Sequence, residues 1–154
     1  MAKYISASSR TIIGNIRPNR TLAPKAGAIA GESDGDIGYF GETTSMTAGS
    51  LYHYKSDGTW ELADANAVAT SDGMLAIALG AASNIDGVLL RGFVTLEHDP
   101  GAIGDVLYAS HTATGEATAT KPTGSGNVVR IIGYCLGASD KKIYFNPDGH
   151  HTVL

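Results

Sequence analysis

The feature of this sequence that most constrains its fold is a pattern that occurs twice. Residues 74–80 read Met-Leu-Ala-Ile-Ala-Leu-Gly, and residues 131–137 read Ile-Ile-Gly-Tyr-Cys-Leu-Gly. A Leu-Tyr pair precedes each copy, at Leu51-Tyr52 and at Leu107-Tyr108, and an apolar, strand-like run follows each. Two short β-rich units in one chain predict a compact β-sandwich or barrel built by duplication. The repeated residues are packing residues, so they describe a scaffold and identify no reaction.

From Gly38 onward the rest of the chain also consists of short strand-like segments separated by turn residues. Its strand-like segments are rich in β-branched and aromatic residues and are bounded by Gly, Asp, Ser and Asn. The turn Ser56-Asp57-Gly58 predicts a tight hairpin, because glycine tolerates the positive φ that such turns need. Residues 63–70 contain several alanines and could form a short helix, although Val68 and Thr70 disfavour it. The predicted strands are 50–54, 59–62, 75–79, 88–96, 106–109, 117–120, 128–136 and 142–146.

The first 36 residues differ from the remainder. They contain much of the positive charge, at Arg10, Arg17, Arg20 and Lys25, and they lack a sustained helical or strand period. We therefore interpret residues 1–36 as an extended N-terminal arm and residues 37–154 as the β-sandwich or barrel domain. A frayed terminus is the alternative interpretation of the first segment.

Composition limits the classes of partner. Only 17% of the 154 residues are charged, against about 25% in typical soluble domains, and there are 20 glycines. A weakly charged surface is best tolerated when another subunit covers it, so a homo-oligomer is expected. The net charge of −4 gives no general basic field for nucleic acid. The sequence has neither a secretory signal nor an apolar run of about 20 residues, which predicts synthesis in a cytoplasm and no membrane partner.

The side chains that could carry chemistry form no recognisable catalytic set, so no enzyme activity, cofactor or metal is expected. Cys135 lies in an apolar run and is interpreted as a buried hydrophobe. Ser125 lies between two glycines, but in a loop and without the strand and helix of a nucleophile elbow. Glu97-His98-Asp99 and His150-His151 leave a metal site open as an alternative to ordinary exposed polar residues.

The strand aromatics favour an interface over a catalytic pocket. Tyr52 and Tyr54 fall on one face of a strand by its period of two. Trp60 follows the hairpin turn; it could stack on a sugar ring, but a core or subunit contact is the more common use of a lone strand tryptophan. Tyr52, Tyr54 and Trp60 are therefore the predicted oligomer interface.

A string of these segments resembles a known family. It includes Lys55-Ser56-Asp57-Gly58-Thr59-Trp60, Leu89-Leu90-Arg91-Gly92-Phe93-Val94 and Ile143-Tyr144-Phe145-Asn146-Pro147-Asp148. Together with residues 74–80 and 122–134 it resembles a β-domain of tailed-bacteriophage virion proteins, of the head decoration (cement) and capsid-fibre types. The resemblance covers about residues 45–150, and it implies no catalytic residues. Residues 1–36 match no part of that pattern.

The resemblance implies a structural protein of the virion. A decoration protein is the expected form, with the β-domain self-associating, as a trimer in the first instance, on the surface of the head. The major capsid protein would be its partner, with Arg10, Arg17, Arg20 and Lys25 of the arm as the partner-binding residues and the arginines pairing with shell carboxylates. The alternative is a fibre or receptor-binding module whose exposed Trp60 and tyrosines meet a host glycan, and an unknown enzyme is the third possibility.

Overall fold

The computed structural model describes residues 21–154, and in this range nearly all regular structure is β-strand. A single 3₁₀ turn at Val68–Thr70 is the one helical segment there, and no described helix is long and apolar enough to cross a membrane. The strands are β1 (Ser33–Gly38), β2 (Leu51–Tyr54), β3 (Trp60–Leu62), β4 (Leu75–Ala78), β5 (Val88–Thr95), β6 (Val106–Ala109), β7 (Ala117–Thr118), β8 (Val128–Val129), β9 (Ile131–Gly137), β10 (Lys142–Phe145) and β11 (Thr152–Val153).

Nine of these strands form one antiparallel sheet. Its order is β3-β2-β4-β5-β10-β9-β6-β7, and β1 pairs with β5 in addition. β1 follows the whole length of β5, whereas β4 pairs with Val88 and Leu89 and β10 pairs with residues 92–95. Because a strand has only two edges, β1 occupies one edge of β5, and β4 and β10 pair with different parts of the other edge. β8 and β11 form a separate two-stranded ladder.

The strand pairings confirm the duplication. In the first unit β2 pairs with β3 and β4, and β4 pairs with β5. In the second unit β6 pairs with β7 and β9, and β9 pairs with β10. The sheet order is therefore the same when read from either end, and β5 and β10 join the two units at its centre.

The sequence match does not hold at every side chain. Ile77 aligns with Tyr134, but Ile77 is fully buried and Tyr134 is 43% exposed. The pairing of β6 with β9 shifts register between Leu107 and Tyr108, which indicates a β-bulge in this ladder. One extra residue in a bulge exchanges the faces of the side chains that follow it.

The sheet curls until its two ends meet. The Leu51 amide donates to the Gly115 carbonyl oxygen at 2.8 Å, and the Gly115 amide donates to the Ala63 carbonyl oxygen at 2.7 Å. The Ala65 amide donates to the Ser110 carbonyl oxygen at 3.0 Å. These bonds connect the end of the first unit with the end of the second, so the all-β, barrel-like fold is as predicted.

The main core lies inside the curled sheet and receives side chains from both units. Burial of such aliphatic and aromatic side chains supplies about 25 cal/mol per Å² of apolar area. A second core covers the outer face of the first unit, where Phe40 and Met46 pack against strand residues. The main core contains Leu51, Ala63, Ala65, Leu75, Ile77, Leu89, Val94, Leu96, Leu107, Ala109, Ala117, Ile132, Cys135, Ile143 and Phe145.

Seven of the eight predicted strands are present within two residues of their predicted ends. The eighth, residues 128–136, is divided at Arg130 into β8 and β9, which belong to different sheets, and β1 and β11 were not predicted. The predicted boundary between arm and domain, at residues 36 and 37, lies within β1. The sheet also extends further toward the N-terminus, since the Gly31 amide donates to the Thr95 carbonyl oxygen at 2.9 Å. Lys142 Nζ donates to the Gly27 carbonyl oxygen, so the chain contacts the sheet from residue 27.

Candidate functional site

The basic residues predicted to bind a partner lie at the start of the chain. Arg10, Arg17 and Arg20 are outside the described residues. Lys25 is described, and its side chain is exposed. Close to it, the Ala23 amide donates to Asp34 Oδ2 at 3.0 Å, which ties the first described residues to β1.

The aromatic residues of β2 and β3 form a cluster within the chain. Trp60 is only 4% exposed, with its ring centroid 4.6 Å from that of Tyr54 and 5.4 Å from that of Phe40. Its indole N–H donates to the Phe40 carbonyl oxygen at 3.2 Å, and Tyr52 Oη accepts from the Thr47 amide at 2.9 Å. An oligomer-interface role for Tyr52, Tyr54 and Trp60 stays a prediction, but Tyr52 and Trp60 have little free surface for a second copy.

On the outer face of the second unit, by contrast, a set of aromatic side chains is partly exposed to solvent. Tyr134, Tyr144 and Phe93 lie directly opposite one another on β9, β10 and β5, so their side chains share one face. The Phe93 and Tyr144 rings are 5.3 Å apart, and Arg91 Nε donates to Tyr144 Oη at 3.2 Å. We call Phe93, Tyr134, Leu136 and Tyr144 the aromatic row.

The aromatic row remains open to solvent among the described residues. Tyr134 is 43% and Leu136 is 37% exposed, and the rings of Phe93 and Tyr144 are half-buried. The first unit covers its corresponding outer face with Phe40 and Met46, which precede β2. The two units of one duplicated scaffold therefore differ in what covers them, and the second presents an apolar face suited to contact with another protein.

A polar cluster lies at one end of the barrel interior. His53 and Glu61 are directly opposite each other on β2 and β3, and His53 alternates with the outward-facing Tyr52 and Tyr54. His53 Nε2 is 3.2 Å from Asp72 Oδ1, and His53 Nδ1 is 3.5 Å from Glu61 Oε1. These residues line an open cleft of about 790 Å³, to which Tyr54, Lys55 and Gly73 also contribute. The imidazole thus stands between two carboxylates.

Arg130 supports this cluster from the second unit. It is buried, its Nη1 donates to the Ser71 carbonyl oxygen and its Nε donates to the Asp148 carbonyl oxygen, both at 2.8 Å. Burial lowers the pKa of Arg130, and the charges of Asp72 and Asp148 oppose that shift. The guanidinium therefore fixes the turn that carries Asp72.

The remaining histidines and the cysteine singled out in the sequence do not join this cluster. His98 Nε2 lies 2.9 Å from the Ala117 carbonyl oxygen and 3.1 Å from the Ala117 amide, so the ring caps β7. Cys135 is buried with its Sγ 3.3 Å from the Gly101 carbonyl oxygen, and burial raises the pKa of the thiol. His150 and His151 are exposed near the C-terminus. Within residues 21–154 no three His, Cys, Asp or Glu side chains could together hold a metal ion.

No sequence motif pointed to His53, Glu61 and Asp72 as a group. A signal for the first pair existed, because a hairpin centred on Asp57 places residue 53 opposite residue 61. Asp72 could not be found in this way, since it reaches the cleft on a turn after the 3₁₀ segment. Comparison with protein-family models, with curated proteins and with solved structures found no match.

Proposed function

We propose that this protein is a structural component of a tailed-bacteriophage virion, and more narrowly a decoration protein on the outside of the head. The resemblance of residues 45–150 to such β-domains supports the class. The open aromatic row supports a docking role, because it is the outer face that the duplicated scaffold leaves uncovered. The row combines tyrosine and phenylalanine rings with Arg91, the residue types enriched at protein interfaces.

In this proposal the β-barrel is a rigid plate and the aromatic row faces the major capsid protein. Copies associate as a trimer, and each copy extends its basic N-terminal segment toward shell carboxylates. Several weak attachments per oligomer add affinity through avidity. The barrel supplies no catalytic step in this scheme, which agrees with a weakly charged, glycine-rich chain made in many copies.

The glycan-binding alternative relied on exposed rings at Trp60 and its neighbours. Trp60 is 4% exposed and its indole N–H is bonded within the chain. Stacking of that ring on a sugar would require residues 39–47 to move away. The decoration role is therefore favoured over glycan binding at Trp60.

Co-sedimentation with mature heads that lack the protein tests the proposal. We expect saturable binding at a fixed number of copies per shell subunit. The variant Tyr134→Glu/Leu136→Glu should weaken binding at least tenfold, since it places charge on the docking face. The matched control Ile85→Glu changes a residue that is 73% exposed elsewhere, and it should bind like the wild type. Absence of saturable binding by the wild type would refute a decoration role.

A further inference from the structure

A segment that precedes each unit is bonded to that unit in the same way. Thr43 Oγ1 accepts from the Trp60 amide of β3 at 2.7 Å and donates to the Trp60 carbonyl oxygen at 3.4 Å. His98 Nε2 lies 3.1 Å from the Ala117 amide of β7 and 2.9 Å from the Ala117 carbonyl oxygen. Six residues after each of these side chains, a glycine amide donates to β4 in the first unit and to β9 in the second, both at 2.8 Å. We call the two corresponding stretches, residues 40–49 and 95–104, the lead segments.

The two lead segments differ at the positions that cover the outer face. The first has Phe40 and Met46 three residues to either side of Thr43, and both pack on the outer face of the first unit. At the same two positions the second has Thr95, which is buried as part of β5, and Gly101, which has no side chain. The second unit therefore lacks both apolar anchors of the first, because β5 takes up one position and glycine occupies the other.

Open space lies at the place that corresponds to Met46. The Met46 amide donates to the Ala81 carbonyl oxygen at 3.0 Å, and extending the repeat by one residue aligns Ala81 with Ala138. Ala138 and Gly101, the counterpart of Met46, both line an open groove of about 530 Å³. Ala138 follows Leu136 of the aromatic row by two residues, so the groove adjoins the row. The second unit thus has room for one anchor in the groove and rings to receive another in the row.

The first unit also shows how a strand tyrosine holds the backbone that covers it. Tyr52 Oη accepts from the amide of Thr47, which directly follows Met46 in the first lead segment, at 2.9 Å. Tyr134 lies on the outer face of the second unit and is 43% exposed, so its hydroxyl can accept from an incoming backbone amide in the same way. Arg91, whose Nε donates to Tyr144 Oη, adds a fixed positive charge beside the row and favours carbonyl or carboxylate oxygens on the incoming segment.

We propose that the aromatic row and the adjoining groove bind an extended segment of the major capsid protein. This segment supplies two apolar side chains with the spacing of Phe40 and Met46, an aromatic one for the row and a methionine or aliphatic one for the groove. Residues 39–47 contain neither helix nor strand, and a helix of about 3.6 residues per turn would point two side chains six residues apart in different directions. This inference rests on the proposed decoration role and defines the part of the partner that the row receives.

Photo-cross-linking on mature heads that lack the protein tests the proposal. A photoreactive phenylalanine analogue is placed in the full-length protein at Leu136 of the row or at Ala102 of the groove, both of which are exposed. We expect both positions to cross-link to the same stretch of the major capsid protein, no more than about ten residues long, since an extended chain rises about 3.3 Å per residue. The control position Ile85, which is 73% exposed outside the row, should form no such cross-link.

The outcomes separate this inference from the decoration role. Saturable binding with cross-links from Leu136 and Ala102 to distant stretches, to a helix or to no part of the major capsid protein would overturn the inference and leave the decoration role standing. Failure of the wild-type protein to bind heads would refute the decoration role itself.

Removing one hydroxyl tests the backbone contact by itself. Tyr134→Phe keeps the ring, and we expect its affinity for heads to fall about fivefold, which corresponds to about 1 kcal/mol for one lost hydrogen bond. Its urea midpoint should stay at the wild-type value, because the side chain is 43% exposed. The matched control Tyr39→Phe removes the hydroxyl of a side chain that is 62% exposed outside the row, and its affinity should not change. Unchanged affinity of Tyr134→Phe, or an equal loss in Tyr39→Phe, would overturn the proposal.

Discussion

Replacing Trp60 by alanine tests the claim that this residue belongs to the chain's own core. The side chain is 4% exposed, packs against Tyr54 and Phe40 and donates one hydrogen bond to the Phe40 carbonyl oxygen. Truncating a buried tryptophan to alanine costs about 3–5 kcal/mol of unfolding free energy. Against a total of about 5–15 kcal/mol for a typical domain, this is a large loss. With a urea m-value of about 2 kcal/mol/M, the midpoint should fall by about 2 M.

The measurement is equilibrium urea unfolding followed by far-ultraviolet circular dichroism, because the variant lacks the only tryptophan. Trp60→Phe separates packing from the hydrogen bond: it keeps a ring but leaves the Phe40 carbonyl oxygen without its donor, and should cost about 1–3 kcal/mol. Ile85→Ala, at a residue that is 73% exposed, should change stability by no more than about 0.5 kcal/mol. A Trp60→Ala variant within about 1 kcal/mol of the wild type would refute the assignment of Trp60 to the core.

Three further predictions concern other parts of the barrel. In urea unfolding, Gly49→Ala should destabilise the protein more than Gly104→Ala. Both glycines have positive φ, so both substitutions carry backbone strain. A Cβ at Gly49 would in addition meet the Glu97 backbone nitrogen at 2.6 Å, whereas one at Gly104 would meet nothing within 4 Å. Equal losses would contradict this. Hydrogen bonds from Thr59 and Lys55 lower the pKa of Asp57 from 3.8 to about 2. Any stability that this carboxylate contributes is therefore present above about pH 4 and is lost as the pH falls through 2. A carboxyl NMR titration of Asp57 with a midpoint near 4 would disprove the lowered pKa. The Cys135 thiol should react with a disulfide reagent only on unfolding, because it is buried with a raised pKa, and rapid native-state reaction would argue against that burial.

The strands could be predicted from the sequence because their signals are local. The Ser56-Asp57-Gly58 turn fixes the β2–β3 hairpin, and the Lys55 amide donates to the Thr59 carbonyl oxygen at 2.9 Å as such a turn requires. β1 was missed because its sequence, Ser-Asp-Gly-Asp-Ile-Gly, reads as a turn. Pairing along the full length of β5 holds it in the sheet, and this long-range contact leaves no local trace.

Which side chains of β9 face outward is decided by a β-bulge, and the repeated sequence pattern gives no sign of this bulge. Alignment of Tyr134 with Ile77 suggests a buried position, yet the register shift in the β6–β9 ladder places Tyr134 on the outer face. A bulge is set by the pairing of two distant strands, so it cannot be predicted from one strand. The same holds for the cleft, because the turn that carries Asp72 is held by the bond from Arg130 to the Ser71 carbonyl oxygen, 59 residues away in the sequence.

The mirrored strand order has a consequence for the origin of the molecule. A single unit ending in β5 would leave the edge of its last residues without a neighbour, and an unpaired edge readily accepts a strand of another chain. The antiparallel contact between β5 and β10 is the arrangement that two identical half-length chains would make about a two-fold axis. Fusion of such a homodimer ancestor would release its halves from the requirement to be identical. One half could then seal its outer surface with Phe40 and Met46 while the other kept Tyr134 and Leu136 exposed.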